Sequence, residues 1–225
     1  MGEMGRAFDG SYAEYALLPN EQIYPVDSQL PWSELAAVPE TYYTAFGSFK
    51  NLQIKEGDSI LVRAATSGVG LAFLKLVKAQ FPQNRVVGVV RSLAKKDLLQ
   101  HQGFDEIILN ERGVLQTEEK FDKILELVGP ATLKNSFDHI QSAGIICNTG
   151  QLGGKWYVEE FDPIVEIKNN SFLTSFYSGN VSQQFIDELF SYIDAYQINV
   201  SPQRIFSLEQ IPAAHSYIES QAGFG

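Results

Sequence analysis

Cysteine is nearly absent: Cys147 is the only one among 225 residues. A lone cysteine excludes an internal disulfide and any zinc site built from several cysteines. It reads as a small buried apolar side chain in a strand. Positive charge is scarce as well. Lys and Arg number 17 against 27 Asp and Glu, for a formal net charge of -10. With no long basic run, an extended nucleic-acid footprint is excluded. A phosphorylated ligand would need a local basic site working against the global field. No stretch approaches the ~18 apolar residues that span a bilayer, and Met1 to Asp9 holds no apolar signal-peptide core. The expected setting is cytoplasmic and reducing, with no membrane partner. Internal repeats and low-complexity tracts are lacking too.

What is present is material for one substantial core: 44% of the residues are hydrophobic and 20% charged. The middle of the chain alternates short apolar runs with helical patterns. Ser59 to Val62 is a run that follows the turn Glu56-Gly57-Asp58. Leu71 to Ala79 is apolar on nearly every side, as in a helix packed on a sheet, and Pro82 closes it. Arg85 to Val90 is a β-branched run without polar alternation, which marks a parallel strand buried on both faces. Ser92 is placed to cap a helix that carries Lys95, Leu98 and Leu99 and ends near Gly103. Further strands are expected at Glu106–Leu109, Lys123–Val128, Ile145–Thr149 and Ser171–Phe176, with a helix from Ala131 to about Gln141. Strands spaced by helices of this length predict βαβ units and a doubly wound parallel sheet.

The ends read differently. Residues 1–32 are loop-like and short-strand-like, with Gly10, Pro19, Pro25 and Pro31. Residues 181–197 form one amphipathic helix, Gln203–Ser207 reads as a strand, and Pro212–Gln221 as a helix.

The strongest local signal is the strand, glycine loop and helix over residues 59–79. A dinucleotide site needs a tight turn, close backbone approach and a helix N-terminus aimed at the pyrophosphate. Gly68 and Gly70 supply the close approach, while Ala65 stands where a first glycine would fall. Taken alone, such a loop is also a plain packing turn. The next strand sharpens the reading. An NAD site places an acidic residue about 20 positions further on, for the ribose hydroxyls. Here the strand ends in Arg91, followed by Ser92, Lys95 and Lys96. A guanidinium forks onto a 2′-phosphate, and the hydroxyl and ammonium add donors. The alternative is a solvated basic helix end. Arg91 also argues against a Rossmann-like methyltransferase, which needs an acid there.

The segment Ala64-Ala65-x-x-Gly68-Val69-Gly70 resembles the nucleotide loop of the medium-chain dehydrogenase/reductase superfamily, in its zinc-independent quinone oxidoreductase branch. Other segments agree in order. They are Gly10-Ser11-Tyr12-Ala13-Glu14-Tyr15, Val38 to Ala45, Arg91-Ser92-x-x-Lys95, Phe121 to Gly129, Gly144 to Gly150 and Ile211 to His215. The resemblance implies a Rossmann α/β cofactor domain over 33–178. It also implies a remnant of a GroES-like β-rich catalytic domain over 1–32 and a return segment over 179–225. It implies NADP(H) as cofactor and hydride transfer to a quinone, aldehyde, ketone or enone. The family's GroES-like region normally precedes the Gly10–Tyr15 segment, and a last strand normally follows Gly223-Phe224-Gly225. The chain thus reads as truncated, and a catalytically incomplete NADPH-binding module is the alternative.

By the resemblance, the loop Thr66, Ser67, Gly68, Val69, Gly70 carries the pyrophosphate, and Arg91, Ser92 and Lys95 select the 2′-phosphate. Thr44 lies near the nicotinamide and phosphates. Asn110, Val128, Gly129, Thr149 and Gly150 follow strand carboxyl ends, where open α/β sheets bind ligands. Thr149 and Gly150 are the expected neighbours of the nicotinamide. Tyr42 and Tyr43 have two readings: one orients a substrate carbonyl, or both serve the core and the domain seam. Glu40 occupies the place of a zinc ligand in the family's zinc branch, but one carboxylate makes no zinc site, and no metal is assigned. His101, His139 and His215 are read as structural. The Ser171–Phe176 strand is a candidate edge for a homodimer.

Overall fold

Strands β1 (Ile60–Arg63) and β2 (Val86–Val90) are buried at every position, as their unbroken apolar runs require. They lie parallel at the centre of a seven-stranded sheet in a computed structural model that describes residues 4–220. The other strands are β3 (Glu106–Glu111), β4 (Val114–Leu115), β5 (Phe121–Glu126), β6 (Ile140–Asn148) and β7 (Phe172–Ser175). Their order is β4-β3-β2-β1-β5-β6-β7. All neighbouring pairs are parallel except β3 and β4. The chain winds outward from β1 through β2 and β3, then returns to the other side of β1 as β5, β6 and β7. That reversal puts a topological switch between β1 and β5, where the carboxyl ends of the strands leave a crevice.

Alternating side chains of β1 serve two cores. Ile60 and Val62 face one, with Leu74, Val77 and Phe46, while Leu61 faces the other, with Val87, Ile124 and Phe137. Helices cover both faces. The first core takes α2 (Tyr43–Leu52), α3 (Gly68–Gln80) and α7 (Gln183–Ala195); α5 (Leu133–Asp138) lies against the second. α4 (Lys96–Gln102) joins β2 to β3 and ends on Gly103 at φ 113, the left-handed cap that glycine adopts without strain. Single turns α1 (Trp32–Leu35) and α6 (Pro163–Glu166) and a last helix α8 (Ile211–Glu219) complete the set. Among the described residues no helix is long and apolar enough to cross a membrane.

Four local readings change. Residues 203–207 form no strand. Arg204 stacks over the rings of Phe206 and Tyr217, at 4.8 and 4.9 Å, so side-chain contacts rather than backbone pairing hold the segment to α8. The helix expected to reach Gln141 stops at Asp138, because Ile140 already pairs with Phe121 at the start of β6. The β3–β4 hairpin was not foreseen. Its turn is Arg112-Gly113, with φ 51 and 91, a pair of positive values that Asn-Gly usually signals and Arg-Gly does not. At the N-terminal end, residues 4–31 are loop-like as expected, with one isolated bridge, Met4 to Phe8, and one 3-10 turn, Asn20–Gln22. The expected short strands do not form there; strands need pairing partners, and the sheet edge does not reach them. Gly223-Phe224-Gly225 lie outside the described residues.

Candidate functional site

The loop after β1 is held by its own polar groups. Ala64 takes a left-handed φ of 60, and the amide of Ala65 donates to the Val89 carbonyl at 3.1 Å. Ser67 is the N-cap of α3: its hydroxyl donates to the Ala64 carbonyl at 2.8 Å and accepts from the Gly70 amide at 3.1 Å. The first-turn amides of Gly68 and Val69 have no acceptor within the helix and open at the N-terminal dipole end. Gly70 is required by proximity, since a Cβ there would stand 2.9 Å from the Ala64 carbonyl oxygen. Ala65 replaces a glycine without penalty because its neighbour on β2 is Gly88, where a Cβ would meet the Ala65 methyl at 2.9 Å. The departure from the three-glycine spacing is thus compensated one strand away. Thr66 sits half-buried at the loop tip.

β2 delivers the basic group. Val89 is in register with Arg63, the last residue of β1, so Arg91 lies beside the end of β1. Arg91 and Ser92 are exposed and Lys95 is half-buried. The Ser92 hydroxyl accepts from the Ala94 amide at 3.3 Å and starts the 3-10 turn Leu93–Lys95. One strand further out, Asn110 closes the β3 side.

The opposite wall is backbone. Thr149 and Gly150 amides both donate to the Glu126 carbonyl, at 2.9 and 3.2 Å. A Cβ on Gly150 would stand 2.1 Å from the Leu127 carbonyl oxygen, and one on Gly129, at φ 86, would stand 2.4 Å from that of Gly150. The two glycines let the ends of β5 and β6 touch, with Val128 half-buried between them. Thr149 is close to where it was expected, but its hydroxyl is turned to Ser48 on α2, 2.8 Å away, and to the Cys147 sulfur at 3.4 Å. Cys147 is fully buried, and burial pushes its thiol up from the ordinary value. Thr44 stands one turn from Ser48, and its hydroxyl donates to the Glu40 carbonyl at 2.8 Å.

A charged pair beneath this wall was not anticipated. Arg63 and Glu126 close β1 and β5 with both side chains fully buried, their Nε and Oε2 3.3 Å apart. The contact is ionic in distance but lacks hydrogen-bond alignment, so Arg63 Nε is left without a hydrogen-bond partner. Burial lowers the Arg63 pKa, with Glu126 acting against that shift. The sequence carried one signal for it: a charged residue ending each of two otherwise apolar strands. Buried polar side-chain atoms without partners also occur at Asn110 Oδ1 and Asn148 Oδ1. These three atoms lie at or near the carboxyl ends of β1, β3 and β6; a fourth, Ser171 Oγ, lies just before β7. Orphaned polar groups and a cradle that a Cβ would fill fit a polar, closely approached ligand such as a dinucleotide.

Tyr42 and Tyr43 precede Thr44 at the start of α2. Both are buried; the Tyr42 hydroxyl donates to the Asn199 carbonyl at 3.3 Å and the Tyr43 hydroxyl to that of Asn180 at 3.0 Å. Tyr43 also packs edge-on against Phe185. The two hydroxyls are thus engaged with backbone groups of Asn199, Asn180 and Ser182. His139 is buried with Nδ1 3.0 Å from the Glu119 carbonyl, and His215 meets the Tyr12 hydroxyl at 3.0 Å. Glu40 is exposed, and among the described residues no three His, Cys, Asp or Glu side chains gather as metal ligands would. A groove of about 600 Å³ lies away from the crevice, between residues 26–30 and α7.

Comparison with known proteins adds a family to this geometry. The sequence profile described as "Zinc-binding dehydrogenase" matches residues 102–225, more than half of the chain. Quinone oxidoreductase of Mus musculus is 28% identical over 154 residues, covering 64% of this chain and 46% of that protein. The chain spans about half the length of the curated relatives it matches first. Among solved structures, Bacillus subtilis protein yhfP with NAD bound has a TM-score of 0.81 at 21% identity, covering 99% of this chain and 70% of that one. The yhdH oxidoreductase of Salmonella enterica in complex with NADP has a TM-score of 0.80 at 16% identity, with the same coverages. At such identities the likeness establishes the fold.

Proposed function

Since the chain belongs to the zinc-binding dehydrogenase family, in the quinone oxidoreductase-like branch of the medium-chain dehydrogenase/reductases, we propose that its crevice binds NADP(H) for reduction of a small carbonyl or quinone. The observation that carries this reading is the pairing of a Ser67-capped helix start with Arg91 on the adjacent strand, at the switch of the sheet. The amides of Gly68 and Val69 face the pyrophosphate. Arg91, Ser92 and Lys95 receive the 2′-phosphate, with Asn110 beside the adenosine. Thr44, Val128, Gly129, Thr149 and Gly150 border the nicotinamide half. A bound reduced nicotinamide supplies the hydride; the chain supplies binding, orientation and shelter from water. Substrates in view are quinones, aldehydes, ketones and enones. The β7 edge, the last of the sheet, is the proposed pairing edge of a homodimer.

Titration of the purified chain with NADPH, followed by the fluorescence of the reduced nicotinamide, tests the reading. Saturable binding supports it. No binding by a chain whose circular dichroism shows it folded refutes it.

A further inference from the structure

Arg63 and Glu126 sit under the crevice without reaching its surface. Burying two charges is costly, and apolar side chains of the same volume fill such a place at least as well. What this pair adds is geometry. One Glu126 oxygen accepts from the amides of Val128 and Gly129, at 2.9 and 3.0 Å; the other accepts from the Ser136 hydroxyl at 2.6 Å. The Arg63 guanidinium reaches Asn135 Oδ1 at 2.5 Å and the Gly113 carbonyl at 3.5 Å. Asn135 Oδ1 accepts in turn from the Leu115 amide at 3.0 Å. The end of β1, the β3–β4 hairpin, the turn after β5 and the start of α5 are thus tied to one ion pair. That turn is also the one pressed against Gly150.

We infer that Arg63 and Glu126 are a positioning pair that fixes the turn Val128–Gly129 across the switch point, and so governs how the nicotinamide half of the dinucleotide is held. The inference rests on the dinucleotide reading of the crevice. If Arg91 receives the 2′-phosphate on the β2 side of β1, the nicotinamide half must lie over β5 and β6, where Glu126 acts. The adenosine half meets Arg91, Ser92 and Lys95, which neither Arg63 nor Glu126 is shown to hold, and touches the pair only through the hairpin beside Asn110.

Calorimetric titration with NADPH and with 2′,5′-ADP separates the halves. The double variant Arg63→Met/Glu126→Leu leaves no buried charge and frees the amides of Val128 and Gly129. It is expected to weaken NADPH on the order of tenfold, the size of effect typical of residues that touch no ligand. Its 2′,5′-ADP affinity falls by a clearly smaller factor, because Arg91, Ser92 and Lys95 are untouched and only the hairpin beside Asn110 loses its tie to Arg63. Ser136→Ala removes one bond to the carboxylate, spares the fold and shifts the same ratio by a smaller factor; it carries the test should the double variant fail to fold. Equal loss of both ligands, or loss of neither, overturns the positioning role while the dinucleotide reading stands. A folded wild-type chain that binds neither ligand overturns both.

Discussion

The hydroxyls of Ser48 and Thr149 lie 2.8 Å apart and join α2 to the carboxyl end of β6. Ser48 is fully buried and also donates to the Thr44 carbonyl at 2.9 Å. Its single hydrogen cannot serve both at once, so Thr149 donates to Ser48 when Ser48 donates to Thr44. The bridge sets the backbone of Thr149 and Gly150 relative to Thr44. Ser48→Ala is expected to cost about 1 kcal/mol, the net worth of such a bond. Thr149→Val costs a similar amount, and the double variant costs less than the sum. Denaturant unfolding of the four proteins checks the cycle.

Gly150 gives a sharper effect. An added methyl would stand 2.1 Å from the Leu127 carbonyl oxygen, against backbone that cannot yield without parting β5 from β6. Gly150→Ala is expected to destabilise the fold by about 3 kcal/mol, at the upper end of ordinary overpacking. Gly154, at φ 70 with nothing within 4 Å of a Cβ, has only backbone strain to resist substitution. Gly154→Ala should cost about 1 kcal/mol. Thermal unfolding of the two variants ranks them.

Cys147 is inaccessible, and burial pushes its thiol above the ordinary value. Thiolate, the reactive form, is therefore scarce in the folded chain. Ellman's reagent at pH 8 is expected to label nothing in the native protein over minutes and one thiol per chain in denaturant. Prompt labelling without denaturant would contradict the packing of β6 against α2.

Tyr42 sets an alkaline limit. Burial pushes its phenol up to about 12, while in the unfolded chain it titrates near 10. Between those values the folded state keeps a proton that the unfolded state has lost. Stability is therefore full below pH 10 and declines as pH rises towards 12, by about 2 kcal/mol. Urea midpoints measured from pH 9 to 11.5 should fall, and less steeply in Tyr42→Phe.

The central strands were legible because their side chains are apolar on both faces; β1, β2 and β5 lie within a residue or two of their expected places. In the loop, the close approach expected at Gly70 is met by the Ala64 carbonyl, whereas the Ser67 cap of α3 was not foreseen. Partnerships across the chain were not. The clasp of Tyr42 on Asn199 spans 157 positions, and nothing near Tyr42 announces it. Arg63 and Glu126 each look like an ordinary charge at a strand end. Only the sheet order, which sets β5 beside β1, makes them a buried pair. Thr149 follows directly on the end of β6, within a residue of the expected strand end, but the direction of its hydroxyl depends on α2, which arrives a hundred residues earlier.

The measurement that bears most directly on the account is the ratio of NADPH to NADH affinity in the wild-type chain and in Arg91→Asp. A guanidinium on a phosphate is worth about 1.5–3 kcal/mol. The wild type is therefore expected to favour NADPH by at least about tenfold, and Arg91→Asp to abolish or invert that preference with NADH affinity kept or raised. Equal affinities in the wild type, or a ratio indifferent to Arg91→Asp, would contradict the assignment of the β2 end to the 2′-phosphate.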